Sequence, residues 1–169
     1  DELRAQEMPP VLEEIHDRVT GANGFAHEPS QPTTIELMPD HATFAVRITG
    51  MPALHTVAAA TGPTIAMESP QEGPGFSTGT FDWPRVLEHE YAHTVTLSRT
   101  LNRIPHWFTE AAAVLMEQSP RPWSWWRLLE DAYKSNALFG MDELSLRFIR
   151  PLKPSARTQA YAQGHWLYE

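Results

Sequence analysis

The chain has 169 residues, no cysteine and a formal charge of −8 at pH 7. That length suffices for one domain burying about two-thirds of its unfolded surface, and 41% apolar residues with six tryptophans exclude a disordered chain. The acidic balance, with no basic stripe to offset it, excludes nucleic acid and anionic membranes as partners, and the lack of cysteine excludes disulfides and thiolate metal sites.

Leu3, Val11, Leu12, Ile15 and Val19 recur at helical spacing over residues 3–20, and Pro9-Pro10 is expected to start the helix proper. Gly21 to Pro32 reads as a loop, and Thr33 to Met38 alternates like a strand. Residues 40–49 carry two signals: Phe44, Val46 and Ile48 alternate, yet Pro39-Asp40 is a good helix start. Leu54 to Ala60 and Thr64 to Glu68 read as a strand pair about Thr61-Gly62-Pro63. Ser69 to Thr80, rich in glycine and proline, is a connector or an overhang above a cleft. From Trp83 on, the chain reads as helices over 83–98, 105–118, 123–137, 142–149 and 157–169, punctuated by Pro120, Pro122, Pro151 and Pro154. The Trp123-Ser124-Trp125-Trp126 cluster reads as core or wall, with stacking on a carbohydrate or peptide as the rival reading. The expected class is α+β: a small N-terminal mixed sheet with helices, then a helical half, in a single domain over 1–169. No apolar run reaches the length of a membrane span. The chain opens without an initiator Met and stops at Trp166–Glu169 inside a helical pattern, so an excised segment of a longer protein, with further domains beyond it, is expected.

The chemistry concentrates in residues 89–93, His-Glu-Tyr-Ala-His. On a helix His89 and His93 project from one face a turn apart and supply two corners of a tetrahedral zinc site. Glu90, next to the first ligand, is placed to take the proton of a metal-bound water. Val86, Leu87, Val95 and Leu97 surround the motif as a buried helix requires, and Pro84 suits its first turn. The spacing names metal-assisted hydrolysis, most naturally of peptide bonds. The bland alternative is a surface helix with two unrelated histidines.

A catalytic zinc wants three protein ligands and an open position. Pro105 starts a second helix, whose alanines allow it to pack closely against the first. Glu110 lies in that helix among Trp107, Phe108, Ala111 and Val114, and a carboxylate in such company is costly unless paired or metal-bound. Glu110 is the expected third ligand and His106, one turn earlier, its rival. His16, His27, His41 and His55 fall outside ligand spacing and read as surface or loop histidines.

The run from Phe81 to Glu117, about a fifth of the chain, resembles the gluzincin metallopeptidases, the group of thermolysin and the membrane alanyl aminopeptidases. Within it the run is most similar to bacterial peptidase domains with a Pro-x-Trp-x-x-Glu second helix. The resemblance implies a zincin-like fold with the zinc helix between the two halves, one Zn2+ on His89, His93 and Glu110, Glu90 as general base, and a peptide or protein substrate. It also implies that residues 40–49 are helical. This chain departs from the pattern at Ala111, where many relatives have glycine, and at Val114, where thermolysin-type members have an Asp that orients a ligand histidine. Asn102, Thr109 and Glu117 are the candidates for that orienting role.

Two further runs carry weaker resemblances. Ile65-Ala66-Met67-Glu68-Ser69 is similar to the Gly-Ala-Met-Glu-Asn strand of the alanyl aminopeptidases, with Ile65 and Ser69 departing from it. It implies that Glu68 captures a substrate amine, with a cleft-edge strand carrying an exposed Glu as the rival; the strand itself, Thr64 to Glu68 and so including Ala66, is expected to be an exposed edge that pairs with an extended peptide. Near the end, Tyr161-Ala162-Gln163-Gly164-His165-Trp166 puts Tyr161 and His165 on one helix face. Gluzincins usually stabilise the oxyanion with such a Tyr or His, so either is a candidate, packing being the rival. The alternative for the whole chain is a catalytically inactive zinc-binding or peptide-binding module of a larger protein.

Overall fold

The computed structural model describes residues 2–51, 56–70 and 81–169, with side chains from Gln6 onward. The fold is α+β, and the described residues form seven helices and one three-stranded mixed sheet. The chain divides into two compact units, Asp1–Asn102 and Arg103–Glu169.

In the first unit, α1 (Glu2–Thr20) runs straight through Pro9 and Pro10, so the prolines do not start the helix as the sequence suggests. Proline's fixed φ suits a helix, and the local cost is the missing main-chain donors. Ile15 and Val19 on α1 are buried, and α1 packs on α3 (Trp83–Thr100). Strand β1 (Thr34–Met38) leads into α2 (His41–Thr49). Asp40 caps α2, its side chain accepting from the Thr43 N–H at 2.8 Å, while Gly50 closes it at φ 74°, a conformation glycine adopts without strain. The helical signal of Pro39-Asp40 thus prevails over the alternation of residues 44–48.

Strands β2 (Ala58–Thr61) and β3 (Thr64–Glu68) pair antiparallel across the Gly62-Pro63 turn. β3 also pairs in parallel with β1, in the register Thr34↔Thr64 to Met38↔Glu68, giving the order β1-β3-β2. β3 is therefore the central strand, with both sides hydrogen-bonded, and the expectation of an exposed edge for an extended peptide is overturned. The five-residue run is apolar on both faces apart from its ends, as befits a central strand; Ile65, Ala66 and Met67 are all buried. With Phe44, Leu87, Val19 and Val95 they form the core of this unit, each large side chain contributing about 1.5–3 kcal/mol. Leu54 and His55, and positions 71–80 of the Gly/Pro-rich stretch, lie outside the described residues.

The second unit is helical: α4 (His106–Met116), α5 (Trp123–Lys134), α6 (Met141–Ile149) and α7 (Pro154–Tyr168). Its centre is Leu144, Phe148 and Ala160, with Trp107, Phe139 and Tyr161 packed against them. α7 packs on α4, α5 and α6, and its small residues permit close approach: a Cβ on Gly164 would meet the Phe148 ring at 3.5 Å and the Trp107 carbonyl at 3.6 Å. Gln163 pins the loop before α6, accepting from the Phe139 N–H at 2.9 Å and donating to its carbonyl at 2.7 Å. Trp123 and Trp126 are exposed, so the core reading of that cluster fails for two of its three rings. No helix among the described residues is long and apolar enough to cross a membrane.

Candidate metal centre

The motif helix α3 packs on α1, β2 and β3. Asp82 caps its start by accepting from the Arg85 N–H at 3.3 Å, and Pro84 occupies the first turn. Leu101, in the left-handed region at φ 53°, ends it. Between these caps Leu87, Glu88, Glu90 and the run Ala92–Thr96 are buried, although the motif is rich in polar groups. Those groups are therefore expected to be satisfied locally, and several are. Arg18 Nε on α1 lies 2.5 Å from Glu88 Oε1, and Thr96 Oγ1 donates to the Ala92 carbonyl at 2.8 Å. Tyr91 and His16 share a hydrogen bond of 2.8 Å between the phenol oxygen and Nδ1.

His89 and His93 turn to each other: their Nε2 atoms are 3.1 Å apart, with ring centroids 4.8 Å apart and planes at 79°. Two nitrogens so spaced subtend an angle of about 100° at an ion about 2.05 Å from both, near the tetrahedral value of a zinc site. Glu90, next along, is a buried carboxylate at 8% exposure.

In the second unit α4 carries Glu110, also 8% exposed. His106, one turn earlier, places Nε2 3.4 Å from Glu110 Oε1. The rival ligand of the sequence reading is thus the carboxylate's near neighbour. Of the three orienting candidates, Thr109 and Glu117 are buried, and Glu117 lies 3.7 Å from Arg121. Asn102 sits exposed just past the end of α3, at φ 58°. Tyr161 is half-buried on α7, its ring edge-on to Phe148 with centroids 4.8 Å apart. His165 is buried; its Nε2 accepts from Arg121 Nε at 3.1 Å and its Nδ1 is 3.7 Å from Glu169. Burial pushes its pKa below the usual histidine range, with the Arg121 charge acting the same way and Glu169 and Glu117 opposing.

Glu68 is 1% exposed and bound to His41, whose Nδ1 is 3.0 Å from Oε2. Ala66 beside it is 3% exposed. A carboxylate already buried against an imidazole is not the exposed cleft-edge glutamate of the sequence reading. The sequence reading also missed the histidine pairings: His16 bonds Tyr91, His27 bonds Ser98 at 3.0 Å, and His41 bonds Glu68. None of the three stands alone in a loop or on the surface. Their partners are distant in sequence, so spacing could not have found them.

No protein-family model matches the chain, and neither the curated proteins nor the solved structures contain a match to it.

Proposed function

We propose that the chain is a zinc-dependent peptidase of the gluzincin type, with a zincin-like fold. The observation that carries this reading is the histidine pair of α3, whose Nε2 atoms lie 3.1 Å apart next to the buried Glu90 carboxylate, with the buried Glu110 of α4 as the proposed third ligand. Two imidazole nitrogens and one carboxylate oxygen fit zinc and leave its fourth position for water or substrate, as catalytic sites require. Zinc, when bound, polarises a scissile carbonyl and acidifies water.

The protein's own residues supply the rest. His89 and His93 bind through Nε2, and the helix holds them one turn apart, so little side-chain freedom is lost on binding. Glu90 takes the proton from the attacking water and returns it to the leaving amine. Its burial strengthens that exchange by limiting competition from bulk solvent. Tyr161 is the better of the two oxyanion candidates, since the Arg121 guanidinium occupies His165 Nε2. A module that keeps zinc only for structure is the second reading; the buried carboxylate of Glu90 beside the first ligand favours catalysis over it.

The deciding experiment is bound zinc per chain in wild type beside Glu110→Ala, purified without chelator. Near one zinc in the wild type and little in the variant is expected. A folded wild type that takes no zinc even on addition, or a variant that keeps it, overturns the ligand set. Cleavage of a quenched peptide library, blocked by chelator, then separates peptidase from binding module.

A further inference from the structure

Residues 87 and 91 lie about 120–160° around α3 from residues 89 and 93, at about 100° per residue, so the helix has a second face away from the histidine pair. That face opens on a cavity of about 550 Å³ within the first unit, a volume typical of small-molecule sites. Its apolar lining includes Ile15, Ile35, Ile65 and Leu87. Two carboxylates, Glu13 and Glu28, are also in the lining, and among the described residues no Lys or Arg is. Both glutamates are exposed, so their charge meets solvent at the cavity's mouth while the aliphatic groups lie within.

The remaining polar lining is organised around Glu28. His16 Nε2 is 3.4 Å from Glu28 Oε2, and His16 Nδ1 is 2.8 Å from the Tyr91 hydroxyl. With the imidazole neutral and its proton on Nε2, Nε2 donates to the carboxylate and Nδ1 accepts from the phenol. The chain as a whole, at −8, adds to the attraction for a cation.

We propose that this cavity binds small amphipathic organic cations, an ammonium group at the Glu13/Glu28 mouth and an aliphatic body against Ile15, Ile35, Ile65 and Leu87. Beyond the two mouth carboxylates the aliphatic interior offers an inorganic cation no ligands for the hydration it would lose there. A negative mouth with no basic residue disfavours carboxylates and phosphates. The site uses none of the proposed metal ligands and stands whether or not the chain is a peptidase.

The test uses the full chain and three probes of one chain length: hexyltrimethylammonium, hexanol and hexanesulfonate. The quaternary nitrogen has no lone pair, so it cannot act through a metal. Binding is followed by the methyl NMR resonances of Ile15, Ile35 and Ile65. The cation is expected to shift these three and to bind tightest, hexanol more weakly, and the sulfonate weakest. Glu13→Gln and Glu28→Gln, at exposed positions where folding is not at stake, should each weaken the cation roughly two- to fivefold and leave hexanol unchanged. The proposal is overturned if none of the probes moves these methyls, if the three bind alike, or if the double variant binds the cation as the wild type does.

Discussion

Replacing Arg18 with Met removes the guanidinium that meets the residue just before the metal motif. Arg18 Nε lies 2.5 Å from Glu88 Oε1, with the Glu88 side chain 3% exposed and that of Arg18 24%. A charge-assisted bond this short is among the stronger kinds, and the bond to Glu88 raises the Arg18 pKa further above its already high value. Methionine keeps most of the aliphatic stem but leaves a buried carboxylate without that cation. Removing one partner of a buried pair costs roughly 3–5 kcal/mol. Arg18 is partly solvated and also reaches exposed Glu14 at 2.9 Å, so the lower end, about 3 kcal/mol, is expected. Urea unfolding followed by circular dichroism measures it, in Arg18→Met, Glu88→Gln and the double variant. The cycle should return a coupling of about 2 kcal/mol, because the two side chains act on each other and little else changes. Single variants within about 0.5 kcal/mol of wild type, or strict additivity, would refute the reasoning.

Glu90→Gln keeps the shape of the side chain and removes its proton affinity; zinc content should stay as in wild type while kcat falls roughly 10²–10⁴-fold, and undiminished turnover sinks Glu90 as base. Tyr91 makes the stability depend on alkaline pH: its folded pKa of about 12 exceeds the ordinary value of 10.0, so the unfolded chain loses its proton first. The contribution is therefore complete below about pH 10 and is lost as pH rises toward 12. Tyr91→Phe should flatten that part of the profile, and parallel losses in both proteins contradict it. Leu101→Gly should stabilise α3 by roughly 0.5–1 kcal/mol, since an exposed leucine now holds φ 53° where glycine is unstrained; a lower denaturation midpoint goes against it.

What the sequence made legible is local. The motif helix, its Pro84 start, the second helix with Glu110 and the β2–β3 turn follow from spacing, caps and turn residues within a few positions, whereas residues 40–49 carry two competing local signals. The proline pair in α1 misled because a start signal and a tolerated interior position look alike in one dimension. The sheet order was out of reach for a different reason. An apolar run such as Ile65-Ala66-Met67 fits an edge or a centre equally well until its second partner, β1, some thirty residues upstream, is known. The histidines were read as bystanders for the same cause: Tyr91 and Ser98 are 75 and 71 residues from the rings they meet. The burial of Glu110 was legible all the same, because an acidic residue within an apolar helix is conspicuous by composition alone.

The stretch from Leu87 to His93 leaves no position idle. Leu87 is core, Glu88 is held by Arg18, and His89 and His93 face each other. Glu90 is a buried carboxylate, Tyr91 bonds His16, and Ala92 is fully enclosed. Seven successive side chains point round nearly two full turns, so most directions out of the helix are already committed. For the sequence as a historical object this means low tolerance. A saturation library over these seven codons should return few folded survivors beyond the parent, whereas the exposed positions of α5 should accept most replacements. Variation in this protein has room to accumulate around the motif helix, and very little within it.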